Sequence, residues 1–154
     1  MAEEKRTRFV VEVVGLLGVI ASLAFVGMEI RQNTVAVRSA TIQAVSDQAM
    51  QLTLSMATDD HLPQLVHEMR RNGVTQADLD NQDRLRLRLV VVAGLRRQEN
   101  LYLQVQNGTL PAAALQNVSF SFYRNAFVRE LWASDREYFD PEFARYWDGI
   151  LSTD

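Results

Sequence analysis

The sequence predicts an all-α protein, with one N-terminal transmembrane helix continuing into a small helical bundle. Three observations carry that class. An uncharged run from Val13 to Met28, bounded by Glu12 and Glu29, stands close to the N-terminus. The 154 residues hold only three prolines and seven glycines to break regular structure, while Leu, Ala, Val, Arg and Gln are plentiful. Apolar residues beyond the run recur at helical spacings. Composition divides the chain into a membrane anchor, residues 1–30, and an α-helical bundle domain, residues 31–154.

A bilayer core takes roughly 20 residues of helix, so Phe9 to Ile30 spans it if the two glutamates lie near the interfaces. Two other objects share this pattern. A buried core helix does, although in so small a domain it is seldom apolar on every face. So does a secretory signal peptide, with Lys5, Arg6 and Arg8 as its basic region and Ser22-Leu23-Ala24 as a cleavage box. The expectation is an uncleaved anchor. Lys5, Arg6 and Arg8 before the span slightly outnumber Arg31 and Arg38 after it, which tilts the N-terminus toward the cytoplasm.

No Pro or Gly interrupts Arg31 to Ala57, so the anchor runs straight on as a soluble helix. Val35, Ile42, Val45, Ala49, Leu52 and Met56 form a packing seam along it, and Arg38 interrupts that seam as a coiled-coil core. Thr58-Asp59-Asp60 caps a second helix, whose apolar side is Leu62, Leu65, Val66 and Met69 and whose stop is Asn72-Gly73. Thr75-Gln-Ala-Asp78 reads as a capping box for a third. Within that third element Leu85-Arg-Leu-Arg-Leu89 alternates like an edge strand. Helix is preferred, because Leu85, Leu89, Val92, Arg96, Glu99 and Leu103 share one stripe up to Asn107-Gly108. Thr109 and Pro111 open a fourth helix carrying Phe120, Tyr123, Phe127 and Leu131. Ser134-Asp-Arg-Glu137 forms a further capping box, and Asp140-Pro141-Glu142 starts a last helix with Phe143, Trp147 and Ile150.

The net charge of −3 argues against nucleic acid, which demands clustered unmatched cations. Without cysteine there is no disulfide, thiolate metal site or cysteine nucleophile. His61 and His67, the only histidines, are six apart, whereas zinc ligands on a helix sit four apart. Asp78-Leu-Asp80-Asn-Gln-Asp83 begins like a calcium loop but has Asp83 where the turn needs Gly and lacks a Glu at the twelfth position, so it reads as a solvated helix start. Asn107-Gly-Thr109 and Asn117-Val-Ser119 match the glycosylation acceptor pattern at its chance frequency. No phosphate loop, nucleophile elbow or two-histidine metal motif is present, so the expectation is a non-enzyme with no cofactor, no catalytic residue and no metal.

Two constellations remain. Arg96 and Glu99 sit on the apolar stripe of the third helix, and they read either as a structural ion pair fixing helix register or as a polar pocket for a small anion at Arg96. In the anchor, Gly15, Gly18, Ser22 and Glu29 fall within about a sixth of a turn at 3.6 residues per turn. They form either a contact face for another membrane helix or the ordinary glycine content of such helices.

The phrase Val19-Ile-Ala-Ser-Leu-Ala-Phe-Val-Gly-Met-Glu-Ile-Arg-Gln-Asn33, followed by Val37-Arg38 and Ala40, resembles a widespread group of small uncharacterised bacterial proteins whose apolar first helix ends in a similar phrase. Arg97-x-Glu99-Asn100-x-Tyr102 and Phe139-x-Pro141-x-Phe143 are similar too, so the resemblance extends over nearly the whole chain. It implies a membrane-anchored helical domain, single-pass in a bacterial inner membrane, and brings no activity with it. The functional expectation is a non-enzymatic accessory or scaffold subunit in contact with membrane lipid, docking on a membrane-protein partner or forming a homo-oligomer. The alternative is a ligand-binding sensor module with a polar pocket near Arg96.

Overall fold

A computed structural model describes residues 2–71, 73–117 and 120–152. Five α-helices are present among them: α1 Ala2–Ala57, α2 Leu62–Arg71, α3 Asn81–Gln106, α4 Ala126–Asp135 and α5 Pro141–Ser152. Short 3₁₀ turns link them, and no strand occurs among the described residues. The alternating Leu85–Leu89 segment is helical, within α3. The chain forms two compact units, Met1–Ala40 and Thr41–Asp154, so the division falls later than the compositional one after Ile30. Composition marks where the apolar run ends, while packing onto other helices begins only near Thr41.

The first unit is bare helix. Its apolar side chains, from Phe9 through Ile30, are exposed throughout. It is long and apolar enough to cross a membrane, with an 18-residue stretch of mean hydropathy 2.5 and none of that stretch buried. A water-soluble core helix would be covered, and this one is not.

The second unit holds the core. Along the end of α1, Val45, Ala49, Leu52 and Met56 are half-buried, whereas Ile42 is exposed. Val35, in the first unit, is exposed as well, so the expected seam packs only from Val45 to Met56. The α2 start is set by Asp59, whose carboxylate accepts from the backbone N–H groups of His61 and Leu62 at 2.9 and 2.8 Å. Leu62, Leu65 and Met69 are buried from α2 as its spacing requires. Its stop falls at Gly73, φ +62°, a backbone region open to glycine, while Asn72 lies outside the described residues.

Asp78 accepts from both the backbone N–H and the hydroxyl of Thr75, 2.8 and 2.6 Å, but the box closes a 3₁₀ turn at Gln76–Asp78. The cap of α3 is Asp80, which accepts from Gln82 and Asp83 N–H. Asp83 then pairs with His61 and Arg86. Every carboxylate of the calcium-like phrase therefore serves a local cap or pair, and the hydrogen bond from His61 leads the effects that hold Asp83 below its ordinary range.

The face of α3 is a correction. Leu85 and Leu89 are 54% and 61% exposed, and the buried side is Leu87, Val90, Val91, Leu95, Gln98, Leu101 and Tyr102. Between Leu85 and Leu95 the helix is apolar on most sides, so spacing alone chooses no face. Desolvation of a guanidinium is what differs: the expected stripe carries Arg96, whose side chain stays 47% exposed, and the observed one carries at that level only Gln98 and Tyr102, both neutral.

The expected fourth helix is also corrected. Residues Ala112–Asn117 and Phe120–Arg124 form 3₁₀ turns, and α4 begins only at Ala126. Asn125 makes the break, since its amide donates to the Phe122 carbonyl at 2.7 Å and its carbonyl oxygen caps Val128 N–H at 3.0 Å. Val118 and Ser119 of the second glycosylation-like phrase lie outside the described residues. The Ser134–Glu137 box opens no helix, because Ser134 is still inside α4 and its hydroxyl bonds back to Leu131 O at 2.9 Å. The α5 start is as expected: Asp140 accepts from Glu142 and Phe143 N–H ahead of Pro141.

Aromatic packing ties α4 and α5 together. Trp147, Phe143 and Phe127 are fully buried, and Trp147 meets the Tyr123 ring edge-on at 5.2 Å between centroids. The Trp132 indole N–H donates to Asp148 at 2.8 Å, and Arg136 donates to the same carboxylate at 2.6 Å. The bond from Arg136 is the main cause of the lowered Asp148 ionisation.

Candidate functional site: a groove on the inner face of α3

Within the second unit, Gly94 is buried on α3 against Tyr123. A Cβ at position 94 would come to 2.5 Å from the Tyr123 hydroxyl, so glycine is what lets the phenol reach the helix backbone. One turn on, Gln98 is 4% exposed on the same face. Burial pushes the Tyr123 ionisation above its ordinary value, opposed by a hydrogen bond from Gln98 and the charge of Arg97. The phenol therefore keeps its proton at neutral pH.

These groups form one end of an open groove of about 600 Å³. Its walls are largely apolar, from Ile42, Val45, Leu52 and Met56 of α1, Val90 and Leu101 of α3, and Leu110, Pro111 and Phe122 beyond it. Ser46, Arg97, Gln98 and Tyr123 supply the polar atoms. Leu52 and Arg97 also line a second cleft of about 520 Å³, with Gln48, Gln51, Ser55, Ala93, Arg96 and Asn100. Among the described residues no Asp or Glu lines either space.

Arg96 and Glu99 form an ion pair at 2.8 Å, but the two groups do not share a buried setting: the Arg96 side chain is 47% exposed and that of Glu99 12%. Glu99 also accepts from Asp140 N–H at 2.6 Å, and Arg96 donates to the Tyr138 carbonyl at 3.0 Å while lying 4.2 Å over the Phe139 ring. These bonds make the pair a clasp that holds the turn before α5 onto α3. Glu99→Ala is expected to cost about 1–3 kcal/mol, the penalty for leaving the Asp140 N–H without its acceptor, while the half-exposed Arg96 stays hydrated. Denaturant titration of the variant measures it, and no loss would mean that the turn holds without the clasp.

The polar groups that line the groove, Ser46, Arg97, Gln98 and Tyr123, are none of them singled out by spacing along the expected stripe. One signal was present: a lone glycine inside a long helix marks a close approach, and Gln98 stands one turn from Gly94 on that side. On α1, Gly15, Gly18, Ser22 and Glu29 are exposed on one side of the helix. Apart from the local helix backbone, no atom of the described residues lies within 4 Å of where a Cβ would stand at Gly15 or Gly18, and the Ser22 hydroxyl donates to Gly18 O at 2.9 Å. Among the described residues no three His, Asp or Glu side chains converge as a metal site would require.

No protein-family model, no curated protein and no solved structure matches the chain.

Proposed function

We propose that the protein is a membrane-tethered, non-enzymatic accessory module of a bacterial inner membrane, single-pass, docking through its anchor on a membrane-protein partner or on a second copy of itself. The observation that carries this reading is the bare first unit: an 18-residue stretch of mean hydropathy 2.5 with none of it buried. Such a surface is stable in hydrocarbon and costly in water. Gly15 and Gly18 leave one side of it open to close approach by a neighbouring helix, where packing and polar pairing replace the hydrophobic effect. Gly18→Leu keeps the segment apolar but holds a neighbouring backbone away, whereas Ala24→Leu changes the opposite side. Purification in mild detergent is expected to lose the partner or the oligomer with Gly18→Leu and to keep it with Ala24→Leu. Equal retention by both would remove the docking role and leave a plain tether.

A second reading, a ligand-binding sensor, is favoured by the groove at Arg97, Gln98 and Tyr123 rather than by Arg96.

A further inference from the structure

Among the described residues, Arg97 is the one lining the groove with a full charge, and none of them forms an ion pair with it. Its Nε is shut off from solvent without a hydrogen-bond acceptor. Arg84, whose Nε is likewise buried, is at least held through its Nη2 by the Leu79 carbonyl at 2.9 Å. Buried donors in folded proteins are nearly always satisfied, and the same side chain lines the open groove, so this under-satisfied guanidinium marks a place for an acceptor.

The surroundings state what kind of acceptor. A guanidinium presents a planar fork that suits a carboxylate or phosphate. Only one uncompensated positive charge is available, because Arg96 is already paired with Glu99, and the other polar groups, Gln98 and Tyr123, are neutral at pH 7. That balance fits a monoanion. Away from Arg97 the walls are apolar, and about 600 Å³ falls in the range of small-molecule sites.

We infer that the groove binds a small amphipathic carboxylate, with its headgroup on the Arg97 guanidinium beside Gln98 and Tyr123 and its hydrocarbon tail along Val45, Leu101 and Phe122. This rests on the sensor reading and names the ligand class for it. A charge-assisted bond in a half-closed site fixes the head, and tail burial supplies affinity without demanding one structure of the tail.

The test is calorimetric titration of the full chain in phosphatidylcholine nanodiscs, with empty nanodiscs subtracted, using octanoate and its uncharged match octanol. Octanoate is expected to bind saturably and at least about tenfold more tightly than octanol, and Arg97→Gln is expected to weaken octanoate by about tenfold or more. Arg97→Lys, which keeps the charge and loses the fork, should fall between parent and Arg97→Gln. If octanol binds as well as octanoate, or Arg97→Gln binds octanoate like the parent, the carboxylate assignment is overturned while a ligand groove stands. If neither probe binds saturably, both the assignment and the sensor reading fail. Should Arg97→Gln lose its helical circular dichroism, the comparison of octanoate with octanol on the parent decides.

Discussion

Trp147→Ala is expected to destabilise the helical domain by about 3–5 kcal/mol, a large share of the roughly 5–15 kcal/mol that holds an ordinary domain together. Trp147 is fully buried and packs against Tyr123, Trp132 and Phe143, with centroid distances of 5.2, 6.3 and 5.5 Å. Those partners come from three separate elements, so the cavity cannot be closed by moving one of them. The effect should appear as a lower denaturant midpoint with an unchanged slope. Tyr138→Ala, at a side chain 66% exposed, is expected to change stability by no more than about 0.5 kcal/mol. A small loss at Trp147 would mean that α4 and α5 do not pack as described.

Leu16→Lys together with Ile20→Lys should abolish membrane insertion while leaving the helical domain folded. Each charge near the centre of a spanning helix costs about 2.5–3.5 kcal/mol on insertion scales, so the pair works against most of what the apolar run supplies. Both positions are exposed, 62% and 54%, and neither supports any packing within the chain. Membrane flotation of the double variant is expected to leave it at the bottom of the gradient, with Val19→Leu floating like the parent. Flotation of the lysine variant would show that something other than this helix holds the protein to lipid.

The legible parts of the fold were those written in local chemistry. Asp59 and Asp140 cap the helices that follow them, Gly73 stands where α2 must stop, and the α2 face follows directly from Leu62, Leu65 and Met69, whereas the cap of α3 moved from the Thr75–Asp78 box to Asp80. The parts that misled were those decided by tertiary competition. On α3 two apolar stripes were available, and the difference lay in whether the Arg96 guanidinium, or neutral Gln98 with Tyr102, had to leave water. Asn125 ended what spacing joined into one helix, since a short polar side chain with two local backbone partners outweighs the apolar period around it.

The groove shows the same limit from the other side. Its polar end is assembled from Arg97 and Gln98 on one helix and Tyr123 on a turn far along the chain, a juxtaposition that no window of sequence contains. Only Gly94 announced it, and a helical glycine says that something comes close without saying what. For Arg96 and Glu99, spacing named the pair but not its further partners, because the groups at Tyr138, Phe139 and Asp140 belong to a turn more than a helix away.

Alkaline carbonate extraction of membranes carrying the full chain tests the tethered reading most directly. An integral helix is held by its apolar surface and survives high pH, whereas a peripheral protein held by charge or by protein contacts is released. The full chain is expected to stay in the membrane pellet, and a chain beginning at Thr41 to remain in the supernatant. Release of the intact full chain by carbonate would contradict the membrane-spanning role of α1 and, with it, the proposed docking function.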